Sequence, residues 1–232
     1  MNLTDEIRMY QVTSPLPASK IKTSREYFAL AMLKFLFPEK FANLRKSESP
    51  DLQDCVAKLG IEVTSGISPQ DEQITGESLK YSRAKSERER NECLRIIQKC
   101  GGTRDAISTG YPVSTPKSDK ECVINVFQNK VEKADRYHKD FQHMGLAIIL
   151  EIPMFLISDH DWGKWLEPMN ENQYEFVALI HWSGIDIYSF ITKDYCKKRI
   201  KQEDLETLKK LARLTAEGRI RDDDPIWHKV LV

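Results

Sequence analysis

Ser49-Pro50-Asp51, followed eleven residues after the Asp by Gly60-Ile61-Glu62-Val63-Thr64-Ser65, decides how the chain is read, because it sets two acids on adjacent strands. The run Ile61 to Thr64 is β-branched except for Glu62 and ends at Ser65-Gly66, the pattern of a short strand closed by a turn. Side chains alternate across a strand, so Glu62 and Thr64 share one face while Ile61 and Val63 point into a core. An acid in the middle of an apolar strand is costly to bury unless it is paired or metal-bound. On an edge strand it would instead face water. Upstream, Pro50-Asp51 begins the run Leu52 to Val56, and Ala57 to Gly60 is short enough to fold that run back as an antiparallel neighbour.

In these residues the chain resembles the PD-(D/E)XK, or restriction-endonuclease-like, nuclease superfamily. There an Asp near one strand and a Glu or Asp on the next hold Mg²⁺, with a Lys two residues later. Pro50-Asp51 matches the first element and Glu62-Val63-Thr64 the second, with Thr64 standing where the motif has Lys. The resemblance covers roughly residues 20–66 by motif and extends to about 150 by the order of elements. It implies that Asp51 and Glu62 ligate Mg²⁺, or Mn²⁺, with help from the Val63 carbonyl, and that the chain hydrolyses DNA phosphodiester bonds as an endonuclease or exonuclease. Members often place a further acid on the first helix near the metal, which makes Glu26 an accessory candidate. In the resembled mechanism the Lys positions or deprotonates the attacking water while the metal stabilises charge on the phosphate.

The Lys therefore has to come from elsewhere. Lys58 is four residues before Glu62, roughly 13 Å along a straight strand. Lys130 and Lys133 lie on the helix that precedes the central strand, which packs beside the site in this architecture. With Phe127, Val131 and Ala134 as the buried stripe, Lys130 borders it, whereas Lys133 is about 100° further round from Ala134. Lys130 is the choice, set against an ordinary solvated helix face. The Thr64 hydroxyl offers a hold on a metal-bound water. Thr64 also favours an alternative function, a catalytically inactive nuclease-fold protein that binds nucleic acid or another protein.

Outward from this centre, Thr13 to Lys22 reads as a Pro- and Ser-bearing tail, and Thr23-Ser24-Arg25-Glu26 as a capping box that starts a helix running to Phe37 and stopped by Pro38. Glu26 then has a second reading, a local one at that helix start. Pro69 to Lys99 is a long charged helix ended by Gly101-Gly102, and Thr103 to Ser118 is a loop. Asp119 to Phe141 carries apolar residues at helical spacing, and Gly145 to Leu150 is a strand buried on both faces. Phe176 to Trp182 and Ile185 to Phe190 flank Ser183-Gly184 as a hairpin, and Glu203 to Ala216 is the last helix. The fold expected is α/β: a mixed central sheet flanked by helices, with residues 1–22 as a tail, 23–232 as a single nuclease-like domain, and 69–102 as a helical insertion.

Composition narrows the rest. In 232 residues, 35 basic and 35 acidic side chains cancel, so no global field recruits nucleic acid and any contact comes from a local patch. The densest is Lys193, Lys197, Lys198, Arg199 and Lys201, which either grips a phosphate backbone or forms a solvated turn before the last helix. DNA is the expected partner, with RNA and a homo-oligomer left open. No apolar run of about 18 residues occurs, so no membrane partner is expected. Five cysteines, an odd number with no close pair, fit reduced thiols and a cytoplasmic location.

Overall fold

Alternating apolar residues in Ile61–Val63, a continuous apolar run in Gly145–Leu150 and the paired runs after Phe176 supply the strands of one mixed sheet. In a computed structural model of the chain, Ile7, Leu166 and residues 16–67, 69–102, 116–134, 140–150 and 173–227 are described. Contacts divide the chain into two compact units, one of Met1–Ser65, Phe127–Ile149 and Asp161–Val232, the other of Gly66–Val126 and Leu150–His160.

The first unit holds a seven-stranded sheet in sequential order: β1 (Arg45–Lys46), β2 (Leu52–Asp54), β3 (Leu59–Ser65), β4 (His143–Ile149), β5 (Phe176–His181), β6 (Gly184–Ser189) and β7 (Tyr195–Arg199). The β3–β4 and β4–β5 pairs are parallel and the others antiparallel, so the expected α/β mixed sheet is what the chain forms. β4 sits at the centre, where an apolar run is tolerated because both faces are covered. One face carries Ile61, Val63, Ala147, Ala178 and Ile187, and packs in one cluster with Ala29, Leu30 and Leu33 of α1 (Ala18–Leu36) and with Leu205, Leu208 and Leu211 of α6 (Gln202–Ala216). The chain turns from α1 through α2 (Pro38–Phe41), whose first residue is the Pro that stops α1. Helix α5 (Pro116–Ala134) brings Phe127 against the rings of Tyr174 and Phe190, at 6.2 and 5.5 Å between centroids.

The second unit contains α3 (Pro69–Arg83) and α4 (Glu87–Lys99), with Ile74 and Ile97 as its small apolar cluster. The Pro69 to Lys99 stretch is thus two helices rather than one. Ser86 accepts from the Glu89 N–H, and the Glu89 carboxylate reaches back to the Ser86 N–H, so a capping box starts a new helix inside the charged run. Gly101 at φ 85° ends α4 and lets the Gly102 N–H reach the Ile97 carbonyl.

Four other boundaries differ from expectation. α1 begins at Ala18 behind Pro17, so Thr23–Glu26 lies inside a helix already running and is not its cap. The hairpin turn is Trp182-Ser183, because His181 pairs with Gly184. Phe141 is not helical, and Val131 of the expected stripe is only half-buried. Of the expected Thr103–Ser118 loop, Pro116 to Ser118 are instead the first turn of α5, which starts ahead of the expected Asp119, and the part up to residue 115 lies outside the described residues, as do Met1–Glu6 and residues 8–15 of the expected tail. Among the described residues no helix is long and apolar enough to cross a membrane.

Candidate functional site

Leu52 pairs with Ile61 across the β2–β3 ladder, and continuing that register by one residue sets Asp51 opposite Glu62. The close approach depends on Gly60: a Cβ there would lie 2.5 Å from Pro50 Cγ and 2.9 Å from Met144 Sδ. Pro50 fills that space and delivers Asp51 to the strand end. The Val63 N–H then donates to Asp51 Oδ2 at 2.9 Å and fixes the carboxylate. Asp51, Glu62 and Glu26 are each only 4 % exposed.

Like charges placed opposite each other on a sheet destabilise it, and burial raises the penalty. Three lysines answer them. Lys130 Nζ lies 2.8 Å from Glu62 Oε2. Lys22 Nζ spans Asp51 Oδ1 at 3.4 Å and Glu26 Oε1 at 3.2 Å, and Lys46 Nζ lies 3.0 Å from Glu26 Oε2. The charge of Asp51, followed by the hydrogen bond and charge of Glu26, holds the Lys22 ammonium above the usual lysine value against the opposing effect of burial.

Each of these groups has a local reason for its place. Ile61 and Val63 face the α1–α6 core, so strand alternation turns Glu62 to the opposite face, where α5 presents Lys130. Phe127, three residues earlier on α5, is buried against Tyr174, and the Tyr174 hydroxyl donates to the Lys130 carbonyl at 3.3 Å. Glu26 is not spent on a helix start: with α1 already running, Lys22 and Glu26 are an i,i+4 pair on its surface. Lys46 comes from the two-residue edge strand β1, closed by the Ser47 N–H on the Asp51 carbonyl.

Lys22 and Lys46 were not among the sequence candidates. The spacing of Lys22 to Glu26 is a helical signal that the capping-box reading hides, while nothing local marks Lys46. Thr64 stands half-buried two residues past Glu62, opposite Ile148. The Lys133 side chain lies outside the described residues. Lys58 sits in the β2–β3 turn at φ 48°.

Among the described residues no group of three His, Cys, Asp or Glu side chains is arranged to hold a metal ion. Mg²⁺ commonly takes only one or two carboxylates and fills its shell with water and substrate phosphate oxygens. The hard oxygen donors of Asp51 and Glu62 fit that cation. No protein-family model, curated protein or solved structure matches this chain.

The basic cluster is not a turn but the edge strand β7 and its flanks. Lys198 reaches Glu39 at 3.5 Å and covers the Phe37 ring, and Arg199 pairs with Asp186. Lys193, Lys197 and Lys201 remain on the exposed surface, Lys197 lying 4.8 Å over the Tyr195 ring. A charged edge strand resists pairing with a stray strand, which is a structural use of the same residues.

Asp186 anchors a second buried web on this side of the sheet. It accepts from the Tyr195 hydroxyl at 2.8 Å and from Arg199, and His181 Nε2 lies 3.4 Å from its Oδ1. Burial pushes the carboxyl up, but the hydrogen bonds of His181, Arg199 and Tyr195 outweigh it and hold Asp186 at about 2. A folded-state value below the unfolded one adds stability that is present above about pH 3.8 and lost as pH falls through about 2. Asp186→Asn is expected to flatten that acid limb. Melting curves from pH 5 to pH 2 check it, and an unchanged limb would remove Asp186 from acid unfolding.

Proposed function

We propose that this protein is a Mg²⁺-dependent nuclease that hydrolyses DNA phosphodiester bonds, in the cytoplasm, with a restriction-endonuclease-like core. The observation that carries the proposal is the two buried acids at β3, Asp51 fixed by the Val63 N–H and Glu62 held by the Lys130 ammonium. In this scheme Asp51 and Glu62 hold the cation, which supplies Lewis-acid stabilisation of the phosphate. Val63 fixes Asp51 through its N–H, and the Lys130 ammonium would orient the attacking water by donating to it, in place of the absent motif Lys. Glu26, bridged to Asp51 by Lys22, is an accessory acid. All five cysteines are free, which supports a reducing compartment.

One observation favours a second reading, a nuclease fold that binds without cleaving. Three buried acids already meet three lysines, so the site is charge-balanced with no cation added. A divalent-cation titration followed by thermal melting separates the two, because a ligand that binds only the folded state raises the melting temperature. Cleavage of single- and double-stranded DNA and RNA in Mg²⁺ and Mn²⁺ then tests the chemistry. No shift with either cation and no cleavage of any substrate would leave the binding reading in its place.

For the DNA interface, Lys193, Lys197 and Lys201 are the phosphate contacts expected from β7, while Arg199 is held by Asp186. Replacing all three by Gln is expected to weaken binding and flatten its log–log dependence on salt by about one counterion per lost contact. An unchanged slope would assign these side chains to solvent alone.

A further inference from the structure

Three lysines neutralise the three buried acids, and they are not held alike. The Lys46 and Lys130 side chains are 17 % and 23 % exposed, and each residue is fastened by a second contact: Lys46 Nζ also donates to the Ser47 carbonyl at 3.4 Å, and the Lys130 carbonyl accepts the Tyr174 hydroxyl. The Lys22 side chain is 77 % exposed and carries its ammonium to the buried Asp51 and Glu26 on a flexible stem. Of the three, Lys22 is the one that can swing into water without moving an acid.

The oxygen it holds is the one a cation needs. Asp51 Oδ2 is taken by the Val63 N–H at 2.9 Å, while Lys22 Nζ lies 3.4 Å from Oδ1 and 3.2 Å from Glu26 Oε1. Mg²⁺ sits about 2.1 Å from a ligand oxygen, so an ion on Oδ1 would stand against the ammonium, and like charges that close repel strongly. Helix stability is a weak reason for the placement of Lys22. In an i,i+4 pair the acid-first order is the favourable one, here the lysine comes first, and an exposed ion pair contributes little.

We propose that Lys22 sets the metal affinity of the acid site as its exchangeable counter-ion: the ammonium holds Asp51 Oδ1 and Glu26 Oε1 until a divalent cation displaces it. The proposal rests on the cation-binding part of the nuclease reading and not on cleavage. Exchange reconciles a site that is charge-balanced without metal with a role in metal chemistry, because the balance is kept by a group that can go. Lys130 and Lys46 stay in place when the cation enters, so Glu62 and Glu26 Oε2 keep their partners. The cost of entry is then one exposed ion pair, and the site binds the cation more weakly than the same acids would without Lys22.

The test is calorimetric titration of the full chain with Mn²⁺, without substrate and at constant ionic strength, joined to acetylation of its lysines by a succinimidyl ester read by mass spectrometry. Lys22→Met is expected to bind Mn²⁺ roughly fivefold more tightly than the unsubstituted protein, the size of one exposed ion pair. Lys20→Met, which removes an exposed charge two residues earlier, is expected to leave the affinity unchanged. In the unsubstituted protein, saturating Mn²⁺ is expected to raise acetylation of Lys22 relative to Lys20, because the ammonium is released into water. Binding detected only in Lys22→Met is the extreme of the same result. Equal affinity in Lys22→Met and the unsubstituted protein, the same gain in Lys20→Met, or Lys22 acetylation that stays level or falls as Mn²⁺ binds would overturn the exchange and leave the cation site standing. No Mn²⁺ binding to any of the three proteins would overturn both.

Discussion

Glu62→Gln and Asp51→Asn are each expected, on the proposed nuclease reading, to lower Mg²⁺-dependent cleavage by roughly 10³-fold or more, beyond the 10²–10³ seen when one preorganised donor is removed, because each would take a charged ligand from a two-carboxylate site. Both keep the shape of the side chain, so folding should survive. Their stabilities should differ in a way the contacts predict. Asp51→Asn keeps an oxygen for the Val63 N–H and gives up only the long contact to the exposed Lys22, while relieving repulsion with Glu62. Its cation-free melting temperature should not fall. Glu62→Gln relieves the same repulsion but leaves the Lys130 ammonium, 23 % exposed, with a weaker acceptor, and a small decrease is expected. Cleavage rates and melting curves with and without Mg²⁺ check both variants. A fall of several degrees in both cation-free proteins, with cleavage retained, would make the acids structural.

Lys130→Ala is expected to reduce turnover by about 10²–10⁴-fold with little change in substrate affinity, the pattern of a group that acts in the transition state. It should also destabilise the cation-free protein, since Glu62 is left buried without its counter-ion. Mg²⁺ should restore much of that loss, because a cation at the carboxylates replaces the missing charge. A purely structural ion pair would show no such rescue. Steady-state kinetics on the variant and melting in increasing Mg²⁺ read both effects. Full turnover in Lys130→Ala, with loss in Lys133→Ala or Thr64→Val, would mean the water is held from elsewhere.

Strands β2 to β6 were legible because their apolar residues alternate or run continuously between turn residues, and the mixed sheet follows from that pattern. Lys130 could be singled out because it shares a helix stripe with Phe127 next to the expected core. β7 was not legible: Tyr195–Arg199 has no buried apolar alternation, and an edge strand needs none. The start of α1 carries no side-chain cap, whereas Thr23–Glu26 looks like one. That mistaken boundary hid Lys22, and with it the charge that ties Asp51 to Glu26. Lys46 was hidden for a different reason, since a two-residue strand has no periodicity to read.

The Val63–Asp51 hydrogen bond closes a sequence separation of 12 residues, whereas the Lys130–Glu62 contact closes one of 68. By loop-closure entropy the longer contact costs about 1.5 kcal/mol more to bring together. By that cost alone the acid hairpin is expected to assemble first from local chain, and Lys130 to arrive later with the crossover to β4. The reverse order on unfolding would release Lys130 first and leave the two carboxylates without the residue that neutralises one of them.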